Sequence, residues 1–178
     1  MRLSRRFFEQ KTLKVARELL GCFLIRKIGG QKIVAKIIET EAYCGPSDLA
    51  NHASKGLTKR TTVMFGPSGQ AYIYLIYGMY YCFNVVTEKQ GYPAAVLIRG
   101  VEINKSRIIG PGKVCRELKI DKQFNGVDLI KSSDLYIIAG VGDDFNRRQL
   151  IKKLPRVGVD YAGAWAEKKW RFVLAERK

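Results

Sequence analysis

Apolar and polar positions along the chain repeat first with a helical rhythm and then with a strand rhythm. Leu13, Ala16, Leu19 and Leu20 recur at spacings of three and four, which predicts an amphipathic helix from about Phe8 to Leu20, stopped at Gly21. The runs Cys22 to Lys27 and Lys32 to Ala42 are rich in β-branched residues and flank Gly29-Gly30, so they predict a hairpin. No sustained apolar period runs through Pro46 to Lys59, which reads as loop or short helix. A second hairpin is expected from Gln70 to Leu75 and Met79 to Val86 about Tyr77-Gly78. A Gly91-Tyr92-Pro93 turn then precedes a strand from Ala94 to Glu102. Gly110-Pro111-Gly112 opens a short helix, Lys113 to Leu118, and Asp134 to Val141 and Arg171 to Ala175 are late strands. Strands bracketed by a few helices, without regular βαβ alternation, predict a mixed α+β class with a mainly antiparallel sheet flanked by helices, in a single compact domain over residues 1–178.

Charge changes the picture. Lys and Arg number 32 against 16 Asp and Glu, a net charge of +16 spread along the chain, while 47% hydrophobic and 11% aromatic residues give it the composition of a folded domain. Such an excess on a folded domain is the footprint of a polyanion partner, above all nucleic acid, because each cation that meets a phosphate releases counterions. Membrane is not expected as a partner, since the longest apolar stretch, Ala71 to Phe83, has 13 residues and five tyrosines, short of the roughly 20 that span a bilayer. The basic start (Arg2, Arg5, Arg6) lacks a secretory h-region and reads better as part of the first helix than as a mitochondrial presequence. Cys22, Cys44, Cys82 and Cys115 lie far apart and His52 is the single histidine, so no metal site is expected and the thiols read as reduced and intracellular.

Candidate chemistry sits in the strand regions. Period two puts Glu39, Glu41 and Tyr43 on one strand face. A solvated strand edge is the ordinary alternative. A carboxylate in so basic a protein nevertheless opposes phosphate binding, which favours another use, that of a general base. From Tyr72 to Tyr81 there are five tyrosines in ten residues, with Tyr72 and Tyr74 on one face and Tyr77 at the hairpin tip. They either pack the sheet or stack on an unstacked base, each contact being worth about 1–3 kcal/mol. Arg99 closes an apolar run at the rim of the core, where a guanidinium needs a carboxylate or phosphate. Gly110-Pro111-Gly112-Lys113 lacks the phosphate-loop pattern, with Arg107 and Val114 at the required positions, which leaves Lys113 and a helix start as a grip for one DNA phosphate.

The ordered motifs Glu-Thr-Glu-Ala-Tyr (39–43), Asn-His (51–52), the tyrosine run through Asn84, Val-Leu-Ile-Arg (96–99) and Gly-Pro-Gly-Lys (110–113) together resemble the alkyladenine, or 3-methyladenine/methylpurine, DNA glycosylase family. The resemblance returns at Pro155 to Phe172 and is loose from about 120 to 150. It implies a base-excision-repair enzyme that flips alkylated or deaminated purines from duplex DNA and hydrolyses the N-glycosidic bond. The lesions implied are 3-methyladenine, 7-methylguanine, hypoxanthine and ethenoadenine, and the product is an abasic site. Glu41 would activate the water and Arg99 hold it while keeping Glu41 ionised. Tyr43, His52 and Tyr74 would bind the extruded purine, and Asn84 would crowd the 2-amino group of guanine. Tyr77 would be the wedge that fills the vacated stack, flanked by Met79 and Tyr80. The resemblance also implies a monofunctional monomer without metal or organic cofactor, acting on damaged double-stranded DNA, of bacterial type and therefore cytoplasmic and nucleoid-associated. Asp160 is expected near the pocket lip. A non-catalytic nucleic-acid module remains the second class, and the acid, histidine and arginine interleaved with the tyrosines favour the enzyme.

Overall fold

In the computed structural model, which describes residues 1–140 and 151–175, every strand pairing is antiparallel, as the lack of βαβ alternation predicts. Phe23–Ile28 (β1) and Gln31–Tyr43 (β2) form the first hairpin. Ala71–Ile76 (β3) and Tyr80–Val86 (β4) form the second, and Ala95–Ile103 (β5) lies between β4 and β2. Ser106–Ile109 (β6) folds back on β5. Leu135–Ile138 (β7) pairs with β1, while Ile151–Leu154 (β8) pairs with Arg171–Leu174 (β9), which joins β2. The expected end of the β7 strand at Val141 lies outside the described residues.

The long strand β2 organises the sheet. Its first half pairs with β1 and its second half with β9, so two strands follow one another along one edge while β5 runs along the other. Alternation along β2 buries Ala35 and Ile37 in the main apolar cluster, together with Leu24, Phe83, Val96, Ile98, Leu135 and Phe172.

Two expectations need correction. The single helix over 8–20 is two helices, Arg5–Phe8 (α1) and Thr12–Glu18 (α2). Glu88 Oε1 accepts both the Thr12 backbone N–H (3.1 Å) and the Thr12 hydroxyl (2.8 Å), so α2 begins at a cap supplied from 76 residues away. β6 and β8 were not expected; both are only four residues long and pair along one edge, too short to show a strand period. Residues 46–59, read as loop or short helix, include a 3₁₀ turn at His52–Lys55. The helix after Gly110 is Pro111–Glu117 (α3), close to its expected place. Tyr80 lies across its start: a Cβ on Gly112 would come within 3.0 Å of Tyr80 Cβ, so the missing side chain lets the hairpin tip seat on α3. Among the described residues no helix is long and apolar enough to cross a membrane.

Candidate active site

The carboxylates reach the site because of two irregularities between β2 and β5. Ile37 pairs with Val101, Glu39 with Gly100 and Thr40 with Ile98, so Ile38 is the extra residue on one strand and Arg99 on the other. A bulge residue is free to re-aim its side chain, and here it turns Arg99 toward both acids of β2. Arg99 Nε lies 3.1 Å from Glu39 Oε1 and 3.7 Å from Glu41 Oε1. Gly100 makes this approach possible, since a Cβ there would stand 2.9 Å from Glu39 Cβ.

Glu41 is fully buried and its two oxygens have different partners. Oε1 accepts the Val157 backbone N–H at 3.0 Å, and Oε2 accepts the Tyr43 hydroxyl at 2.9 Å. Burial pushes its pKa above the ordinary 4.5, against the opposing pull of Arg99, Val157 and Tyr43. The result is a carboxylate more basic than usual, the property a proton acceptor needs near neutral pH.

This acid lines a cavity of about 280 Å³ whose walls include five tyrosines and the single histidine. Tyr43, His52, Tyr72, Tyr74, Tyr77, Asn84 and Arg99 line it with Glu41. His52 meets Tyr74 edge to face with centroids 4.5 Å apart, and its Nδ1 lies 3.1 Å from the Tyr72 hydroxyl. Burial, with Arg60 and Lys55 nearby, pushes the His52 pKa down to about 4, so the ring is neutral at pH 7. Asn84 donates from Nδ2 to the Tyr72 carbonyl at 3.1 Å, which fixes the amide against the β3 backbone.

At the mouth, Tyr77 is 86% exposed and holds a φ of 51° beside Gly78 at 69°, so a bulky aromatic occupies backbone space that normally favours glycine. Met79 and Tyr80 flank it on the exposed tip and do not line the cavity. Nor does Lys113, which is exposed on α3 two positions beyond the lining residue Pro111. The structure thus brings seven of the candidate residues to one cavity and sets Met79, Tyr80 and Lys113 around its outside.

Several participants escaped the sequence reading. Arg156 and Asp48 form a wholly buried ion pair, and the Arg156 guanidinium lies 4.8 Å from the Tyr43 ring centroid. Arg171 donates to Glu39 at 3.0 Å. Val157, Val159 and the exposed Tyr161 also line the cavity; Asp160 falls between two lining residues without lining it itself. Among the described residues no group of His, Cys, Asp and Glu is placed to hold a metal ion.

The family model described as methylpurine-DNA glycosylase (MPG) matches residues 6–178. A Legionella pneumophila (strain Lens) protein named "putative 3-methyladenine DNA glycosylase" is 50% identical over 179 residues, covering 98% of this chain and 95% of the relative. Proteins of the same name from Methanocella arvoryzae and Myxococcus xanthus are each 47% identical, covering 96% and 95% of this chain and 90% and 88% of the relatives.

Proposed function

The chain belongs to the methylpurine-DNA glycosylase family, and from that premise we propose that it excises damaged purines from duplex DNA by hydrolysis, with Glu41 as general base. The observation that carries this reading is Glu41 buried in an aromatic-walled cavity beside Arg99, with burial raising its basicity.

The chemistry follows from the groups present. A purine turned out of the helix enters between Tyr43, His52 and Tyr74, whose faces favour a cationic alkylated base. Tyr77 enters the duplex and offsets the few kcal/mol lost on extrusion. A water beside Glu41 attacks C1′; its proton passes to the carboxylate as the new C–O bond forms and the N-glycosidic bond breaks, releasing free base and an abasic sugar. Arg99 holds that water on the side of the sugar. The leaving electron pair goes to the purine, which for 3-methyladenine or 7-methylguanine neutralises a positive charge, so positioning supplies most of the acceleration. Hypoxanthine and ethenoadenine leave less readily because the departing ring must also gain a proton. Asn84, held by the Tyr72 carbonyl, stands where a 2-amino group would crowd it and so disfavours normal guanine. Lys113 and the basic surface grip phosphates on either side. The protein acts as a monomer in the bacterial cytoplasm.

The deciding experiment is single-turnover excision from duplexes carrying hypoxanthine or ethenoadenine, analysed with and without alkali. Nicks that appear only after alkali support a monofunctional hydrolase, and nicks without it support attack by a lysine. Tight binding without release of these bases or of 3-methyladenine would overturn the enzymatic reading.

A further inference from the structure

Glu39 is a buried carboxylate, 3% exposed in its side chain, that the reaction above leaves without a task. Its Oε1 accepts a hydrogen bond from Arg171 Nη1 at 3.0 Å and lies 3.1 Å from Arg99 Nε. The second contact is a charge contact only: among the described residues the buried Arg99 Nε makes no hydrogen bond, though both carboxylates are close. Arg99 therefore sits nearer the idle acid than the one in the cavity. The bulge at Arg99 and the bare Cα of Gly100 are what admit Glu39 to this position.

We propose that Glu39 is a positioning residue that shares Arg99 with Glu41, drawing the guanidinium toward itself so that Glu41 keeps its power to take a proton from water and the Arg99 Nε–H stays uncommitted. This rests on the reading of Glu41 as the base. Arg99 faces two acids, and Arg171 competes with it for Glu39; without Glu39, Arg99 would face Glu41 alone and hold it as a weak base. The remaining groups toward Glu41 are Tyr43 on its own strand, Tyr74 on β3, Cys82 on β4 and the Val157 N–H, none of which carries a charge at neutral pH. Arg156 lies behind Tyr43 and is neutralised by Asp48.

The test is the pH dependence of single-turnover excision of hypoxanthine by the wild-type protein, Glu39→Gln and Arg171→Gln, with melting curves to establish folding. The wild-type rate falls on the acid side as Glu41 takes up a proton. In Glu39→Gln the midpoint of that fall moves at least about half a unit lower, and the plateau drops roughly threefold as the base weakens. In Arg171→Gln it moves the other way. A merely structural role lowers rates without moving the midpoints in opposite directions, so a Glu39→Gln midpoint that stays put or rises overturns the proposal. Should Glu39→Gln not fold, Arg171→Gln decides alone: an upward shift supports the proposal and a fixed midpoint overturns it. Failure of the base itself looks different: Glu41→Gln would then turn over at the wild-type rate, whatever the Glu39 variant does.

Discussion

Arg156 grips Asp48 with both ends of its guanidinium, Nη1 to Oδ2 at 2.6 Å and Nη2 to Oδ1 at 2.9 Å, and neither side chain is exposed. The same two nitrogens donate to the carbonyls of Ala42 and Trp165, while the Asp48 oxygens accept the backbone N–H groups of Cys44 and Ala50. One ion pair thus ties the end of β2, the loop before His52 and the segment carrying Val157 to each other.

Breaking one half of a buried pair leaves an uncompensated charge, which costs about 3–5 kcal/mol. Asp48→Ala is expected to lose that much in urea denaturation, and a loss below about 1 kcal/mol would contradict the account.

Glu41→Gln is expected to reduce excision by roughly 10²-fold or more while duplex binding persists. Stability should change in the opposite sense. The folded protein holds the Glu41 proton more tightly than the unfolded chain, so this group's contribution is complete below about pH 4.5 and is lost as pH rises through the folded value. The variant should melt higher than wild type at pH 7 to 8, with the gap closing toward pH 4. Equal melting temperatures across that range would refute the burial argument.

His52 works in the other direction on the pH axis. Its pKa is about 4 in the fold against 6.5 for a free imidazole, so the unfolded chain binds the extra proton first and stability falls as pH drops from about 6.5 to about 4. His52→Gln should lose this part of the acid sensitivity, which pH-dependent melting of the two proteins measures directly.

Tyr77→Gly relieves a tyrosine at positive φ, offsetting the extra chain freedom of glycine, so stability should stay within about 1 kcal/mol of wild type. The fluorescence change of a lesion-bearing duplex on binding should be lost. An unchanged signal would remove Tyr77 from the wedge role.

Local rhythm made much of this readable. Alternation along 32–43 put Glu39, Glu41 and Tyr43 on one face, and both acids do meet Arg99, which an apolar run had marked as a cation at the rim of the core. What stayed hidden comes from chain-distant contacts. The Arg156–Asp48 pair spans 108 residues, the Val157 N–H reaches Glu41 across 116, and Arg171 reaches Glu39 across 132. Nothing in the spacing near Arg156 signals a buried charge. The helix break before Thr12 was invisible for the same reason, because its cap is Glu88.

Strand β2 is hydrogen-bonded along both edges where it carries Glu41, to Leu97 on one side and Arg171 on the other. The reagent is therefore welded into the framework, so the backbone that carries it cannot shift without loosening the sheet on both sides. The tips that frame the opening, Tyr77 to Met79 and Gly158 to Tyr161, hold no group that touches Glu41. Diversification of what the enzyme accepts has room to proceed at that periphery, around a chemical centre that stays fixed.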